Sequence, residues 1–327
     1  MGRFRLIPRG IIPMSTPPSL SAGRASATPE EQAAIRALQA KPVIAWPTML
    51  ILLFFVPPIL VLDYLAITQQ MNVVLAAVLA ALCGYLSFSS IHDGIHRAVS
   101  SKSWVNELVS MGTVNLLFPY MPIAVLRWGH MQHHVHTGDP VKDPDYATSH
   151  SFWGMMWYGL WWADVYYLRK YFQHRHERPA HELRTVKIHL LIGGSLFVGI
   201  ASLLPLEGLI FWLIASRLTL WVIALVFMYL PHVPHTIAQK DAPYQATLIR
   251  EGWDWLLTPL MAYQNWHLVH HLYPSAPFYR YKKLWNARRE FHESHIPARV
   301  SAFQIMPDQQ ELAAGVALAA SRKKSKQ

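Results

Sequence analysis

Residues 72–96 read NVVLAAVLAALCGYLSFSSIHDGIH, an apolar run that stops at two histidines four positions apart. Its apolar part, 72–90, is long enough to cross a bilayer core of about 30 Å. On a helix His92 and His96 share a face one turn apart, so the run delivers both imidazoles together just past the inner end of a span.

Three further apolar stretches have spanning length: 46–65, bent at Pro57-Pro58, then 188–204 and 208–230. Proline and glycine inside membrane helices are tolerated, so the Pro57-Pro58 pair does not cancel the first. The chain of 327 residues is 52% hydrophobic and only 15% charged, a composition of membrane proteins and not of soluble enzymes. The expected fold class is an all-α membrane protein: four transmembrane helices under a cytoplasmic helical cap that carries a His-ligated two-metal site.

Charge placement sets the expected orientation. The connections 66–71 and 205–207 hold no Lys or Arg, whereas the remaining segments hold all 29 except Arg217. The positive-inside rule then puts both short loops outside, with termini and long segments in the cytoplasm. A net charge of +10 on such a chain reads as attraction to the membrane surface, with no aromatic-interleaved basic motif for nucleic acid. The aromatic stretch 151–162 reads as lying along the headgroup zone, and 116–126, with Pro119 and Pro122, as a second interfacial or re-entrant piece. The expected organisation is a mobile arm with a short helix over 1–40, a membrane domain over 41–300 and a basic tail over 301–327. Thr28-Pro-Glu-Glu has the form of a helix cap for residues 29–38.

The histidines carry the chemistry. Besides His92 and His96 there are His130, His133 and His134, then His267, His270 and His271, with His232 alone in Leu230-Pro-His232. Helical spacing makes each cluster converge, while adjacent pairs such as His133/His134 and His270/His271 diverge by roughly 100° about the axis, which suits two ions better than one. Nine neutral nitrogen donors exceed what tetrahedral zinc uses, and no His-Glu-x-x-His stretch supports a zinc hydrolase. Imidazole suits iron, copper, zinc and nickel alike; oxidation of unactivated C–H bonds by O2 favours iron. All nine candidates fall on one side of the expected topology. The histidines at 150, 174, 176, 181, 189, 292 and 295 read as ordinary surface or core residues, and His136 and His235 as intermediate.

Cys83, the sole cysteine, excludes an intramolecular disulfide and a four-thiolate iron–sulfur centre. No Gly-rich dinucleotide fingerprint follows a strand, so electrons are expected from a separate protein on the basic face.

These residues resemble the integral-membrane fatty acid desaturase and hydroxylase superfamily, over about residues 45–295. The stretches His130-Met-Gln-His-His-Val-His136 with Asp139-Pro-Val-Lys-Asp-Pro-Asp145, Tyr229-Leu-Pro-His232 and Gln264-Asn-Trp-His-Leu-Val-His-His-Leu-Tyr-Pro274 are most similar to the cyanobacterial-type β-carotene hydroxylase branch. The resemblance implies His92, His96, His130, His133, His134, His232, His267, His270 and His271 as ligands of two non-haem irons, O2 as co-substrate, and ferredoxin or a similar donor with its reductase. It departs from animal acyl-CoA desaturases at Met228, where those carry Asn. Asp93 and Asn265 are the expected further site residues: Asp93, with Asp143 and Asp145, as a carboxylate behind the ligands, Asn265 as a partner of a ligand or bound water. Turn formation and packing are their bland alternatives. Arg217 and Asp63, ionisable groups in or near spans, stay unassigned.

The substrate is expected to enter from the lipid as a long hydrocarbon. Desaturation or hydroxylation of an acyl chain or related lipid is the broad reading; hydroxylation of a carotenoid β-ionone ring is its closest competitor. A His-rich metal transporter or sensor is the distant alternative, which would need ligands near the bilayer midplane.

Overall fold

The computed structural model describes residues 27–325. Residues 1–26, most of the expected mobile arm, lie outside the described part. The first element, α1 (Pro29–Gln39), starts by local chemistry alone. Thr28 Oγ1 accepts from the Glu31 N–H at 3.1 Å while the Glu31 carboxylate accepts from the Thr28 N–H at 2.9 Å, which satisfies two donors that the first turn leaves unpaired.

Two spans follow, α2 (Trp46–Ile67) and α3 (Val73–Ile95). Pro57 and Pro58 lie inside α2 as expected, and Asn72 Oδ1 caps α3 by accepting from Val74 and Leu75. The sequence reading ended this second span at residue 90; the helix runs on to Ile95. Serine hydroxyls account for the difference, because Ser87 and Ser90 donate to the carbonyls of Cys83 and Ser87 at 2.8 and 2.7 Å and so remain inside a continuous helix. His92 is therefore within the span's last turn, and His96 caps its end.

From there α4 (Ser103–Leu117) runs back along α3. A Cβ placed on Gly94 would come 2.7 Å from Ser110, and one on Gly84 would come 3.3 Å from Leu117, so α4 descends from the end of α3 to its middle. The chain turns through residues 118–122, where the Pro119 carbonyl accepts from His189 Nε2 at 3.2 Å, and α5 (Ile123–His136) climbs back to the histidines. The stretch 116–126, read as interfacial or re-entrant, forms the tip of this hairpin; with 15 and 14 residues, neither arm has spanning length.

Three shorter helices come next, α6 (Tyr146–Ser149), α7 (Phe152–Trp157) and α8 (Ala163–Gln173), with wider turns over 158–162. Gly159 lets this segment press on the fourth span, since a Cβ there would lie 2.5 Å from that of Ala224. The opposite face shows Trp153 and Trp157, 76% and 60% exposed, to the surroundings. The third span, α9 (Ala180–Leu203), begins eight residues before its expected start at 188. Its first turn is fixed by protein contacts that hydropathy does not register: Glu182 accepts from Tyr171 at 2.7 Å and from Arg178 at 3.0 Å. The fourth span is α10 (Leu206–Ile223), continued to Tyr229 by wider π-type turns.

The cap is built from β1 (Ile249–Glu251), α11 (Asp254–Leu260), α12 (His267–Leu272), α13 (Tyr281–Ala287), α14 (Arg289–Glu293) and β2 (Arg299–Ser301). The two strands pair in parallel with Ile249 opposite Arg299. Residues 301–327, read as a basic tail, carry α15 (Gln309–Lys324), capped by Asp308 and with Leu312 buried. The described residues thus form an all-α membrane fold with four helices long and apolar enough to span and one minimal sheet. Span α3 is the innermost, 56% buried over its most apolar window against 6% for α2 and α9, so the ligands at its end face the protein interior.

Candidate metal centre

Four elements bring the nine expected ligands together. α3 supplies His92 and ends at His96, α5 supplies His130, His133 and His134, the turn after α10 supplies His232, and α12 supplies His267, His270 and His271. All but His130 are buried, and that one is half-buried.

The rings form two groups. His92, His96, His130 and His270 make one, and His133, His232, His267 and His271 the other, each with one ring nitrogen per residue within 4.8 Å of the rest. His134 joins the first, its Nε2 3.2 Å from that of His130. Neighbouring Nε2 atoms are 3.1 Å apart for His92–His270, 2.8 Å for His96–His130, 3.0 Å for His133–His232 and 3.2 Å for His232–His267. Metal–nitrogen bonds of about 2.1 Å at right angles imply nitrogen–nitrogen edges of about 3.0 Å. The donors therefore fit five- or six-coordinate ions.

The expectation that each cluster converges on one point is corrected in part. His130 and His134 serve the first group and His133 the second; His270 serves the first, His267 and His271 the second. Adjacent histidines diverge, as the helical angle requires, so two helices each donate to both positions.

Burial, then the neighbouring rings, hold His96, His130, His134, His232, His267, His270 and His271 well below the ordinary imidazole range. Neutral rings keep the lone pair that a metal needs. His133 differs: burial lowers it, but the carboxylates of Asp143 and Asp145 outweigh burial and raise its basicity.

Asp143 is the best-held acid of the centre. Its Oδ1 accepts from His133 Nδ1 and the Asp145 N–H, both at 2.9 Å, and its Oδ2 from the Gly138 N–H and His235 Nε2, both at 3.0 Å. Burial would raise this carboxyl, yet the two imidazoles keep it well below the usual carboxylate range. Asp145 stands 3.6 Å from His133 Nδ1 and accepts from the Tyr167 hydroxyl.

The other rings of the second group are braced by neutral acceptors: His271 by Gln239 at 2.8 Å, His267 by Gln264 and His232 by the Met228 carbonyl. In the first group Tyr281 holds His270 Nδ1 at 2.9 Å, while Nδ1 of His96 and of His134 has no partner among the described residues.

The two further site residues expected from sequence sit differently. Asp93 is buried, but its Oδ2 accepts from Thr48 at 2.8 Å. Asn265 donates to Thr258 at 3.1 Å, and its Oδ1 is buried without a partner among the described residues. Neither bonds a ligand ring among the described residues. Sequence reasoning missed Gln239, Gln264, Tyr281 and His235 as bracing groups. Gln264, one turn before His267, had a usable spacing; Gln239 and Tyr281 had none. Of the histidines read as ordinary, His292 is a satisfied core residue between the Tyr244 and Tyr273 hydroxyls at 2.8 and 3.2 Å.

Beside the rings lies an apolar cavity of about 70 Å³. Leu220, Ile223, Phe227 and Met228 of the fourth span form one wall, and His92, His130, His133 and His267 close one end, so both groups face it. Met228, where animal acyl-CoA desaturases carry Asn, thus adds an apolar side chain to the wall and a carbonyl to His232.

A spanning bundle whose histidine pair-site faces a greasy cavity defines a membrane oxidoreductase of the desaturase and hydroxylase type. A model of the fatty acid desaturase family matches residues 68–302, and the chain belongs to that family. Comparison with curated proteins finds no match.

Proposed function

We propose that this protein is an O2-dependent di-iron enzyme that desaturates or hydroxylates a long apolar lipid, an acyl chain or a related molecule. The single observation that carries the reading is the cavity: its lining is mostly aliphatic and aromatic, with Asp145 and Asp164 as its acids, and it includes rings from both ligand groups. Iron held by the nine histidines would supply reductive activation of O2 and removal of hydrogen from an unactivated carbon. The chain's part is positional. Phe227, Ile223 and Leu220 hold a hydrocarbon against the rings and exclude water, while Asp143, Gln239, Gln264 and Tyr281 fix the ring faces so that Nε2 points inward.

The Lys- and Arg-free short loops support a cytoplasmic centre, with an external donor such as ferredoxin delivering electrons to the basic face. A metal transporter needs ligands near the midplane, whereas these gather at the ends of α3 and α10. Carotenoid ring hydroxylation remains the finer competitor, supported by the three stretches that resemble that branch.

Expression in cells that make β-carotene, with pigments and fatty acids analysed together, tests both. A new double bond or hydroxyl on acyl chains beside unchanged pigments supports the acyl reading; hydroxylated ionone rings support the carotenoid one. Neither product from protein that carries two irons per chain by elemental analysis overturns the proposal.

A further inference from the structure

Arg217 is the twelfth residue of the spanning stretch Leu206–Tyr229, near the middle of the membrane, where an ionisable side chain is costly and commonly functional. Sequence gave it no partner, but the structure gives two. Its Nη2 lies 2.8 Å from Asp164 Oδ2 and 2.7 Å from the Tyr120 oxygen, and the Tyr120 hydroxyl donates to Asp164 Oδ2. The three residues come from three elements: Arg217 from α10, Asp164 from the first turn of α8, Tyr120 from the tip of the α4–α5 hairpin. The Arg217 and Asp164 side chains are 13% and 5% exposed.

Asp164 lines the apolar cavity that closes on His92, His130, His133 and His267. Along the fourth span the cavity wall climbs from Leu220, one turn after Arg217, through Ile223 and Phe227 to Met228, about three turns in all from Arg217. A buried ion pair is a poor staple, since apolar residues of similar volume join two elements at least as well. The place of Asp164 in the lining of a greasy cavity, with Arg217 and Tyr120 bonded to its carboxylate, points instead to recognition. Among the described residues every bond of Arg217 uses Nη2, which leaves Nε and Nη1 as donors. Among the described residues Asp164 Oδ1 accepts only from the Val165 N–H, at 2.8 Å. The pair is already neutral overall, so it suits an uncharged oxygen that both donates and accepts and disfavours a carboxylate, which would stand against Asp164.

We infer that Arg217, Asp164 and Tyr120 form a polar subsite that binds a hydroxyl group on the otherwise apolar substrate. Occupancy of this subsite fixes how far the molecule reaches along the cavity and so selects the carbon presented to the rings. The inference rests on reading the cavity as the substrate cavity.

Competition binding to the purified, metal-loaded full chain in detergent micelles tests it, with octadecanol, octadecane and octadecanoate as probes. Octadecanol is expected to bind about tenfold more tightly than either of the others. The double variant Arg217→Met with Asp164→Leu, which leaves no unpaired charge, is expected to bring the alcohol preference to within about twofold of unity while metal content is retained. Tyr120→Phe, a smaller change, gives an intermediate preference. An alcohol preference that persists in the metal-loaded double variant overturns the subsite, as does its absence from the wild type. Failure of the enzyme reading looks different: the wild type then prefers octadecanol yet oxidises no lipid under reducing conditions with O2.

Discussion

His133 and His134, neighbours in the chain, serve opposite halves of the centre: His133 Nε2 lies 3.0 Å from His232, whereas His134 Nε2 lies 3.2 Å from His130. The second half is braced more completely, because each of its four rings has an Nδ1 partner, whereas among the described residues Nδ1 of His96 and of His134 in the first half is buried without one.

That asymmetry predicts stepwise loss of metal. Titration of the loaded protein with a chelator removes one ion per chain well before the other, as elemental analysis of desalted samples reports. The ion that remains belongs to the half containing His133, so His271→Ala abolishes the slow phase and leaves the fast one. A single phase for both ions contradicts the assignment.

Asp143 accepts four hydrogen bonds and holds His133 from behind. Asp143→Asn keeps the shape but removes the charge and places an NH2 group against donors. Metal affinity at that position is expected to fall about 10–100-fold, read by competition with a chromophoric chelator. Asp93→Asn, whose carboxylate bonds Thr48 and the Phe278 backbone and no ligand ring, is expected to leave both metal affinities within about threefold of wild type, far from the loss given by a direct carboxylate partner.

Gly138 has φ +80°, and a Cβ there would meet the Ile237 carbonyl oxygen at 2.3 Å. Its N–H also donates to Asp143 Oδ2. Gly138→Ala is expected to cost about 2–4 kcal/mol, seen as a lower thermal midpoint in detergent with reduced metal content. Gly194, which has nothing within 4 Å of an added Cβ, is the control, and its alanine variant leaves the midpoint unchanged.

His292 provides a pH dependence. Burial, with smaller effects from Arg288 and His295, pushes its ring from 6.5 down to about 3. Below the unfolded value the unfolded chain binds a proton that the folded one refuses, so stability falls as pH drops from about 6.5 towards 3. At about pH 5 the loss is about 2 kcal/mol. His292→Phe, which keeps a ring on Trp285 but cannot titrate, is expected to be less stable than wild type near pH 7.5. The gap in thermal unfolding should narrow by about 2 kcal/mol at about pH 5. A constant gap rejects the assignment.

Much of this was legible along the chain. Span positions followed from length and apolarity because the bilayer fixes how long an apolar helix must be. The cap at Thr28 and the tolerated prolines of α2 are equally local. The end of α3 was misread because serines that look like a polar boundary bond their own preceding carbonyls. The start of α9 was misread because Glu182 and its partners anchor a turn that hydropathy assigns to a loop. The helix α15 was hidden in a stretch whose charge suggested a solvated tail, although Leu312 packs inward.

By itself the sequence determined that four helices cross a membrane and that histidines at helical spacing wait at one end of them, because both facts depend on residues close in the chain. Only the tertiary structure decided which histidine joins which half, that Gln239, Tyr281 and His235 stand behind the ligands, and that Arg217 has Asp164 and Tyr120 as partners. Those relationships join residues up to 178 positions apart, as between His92 and His270, and arise from how helices pack against one another, a property no local spacing encodes.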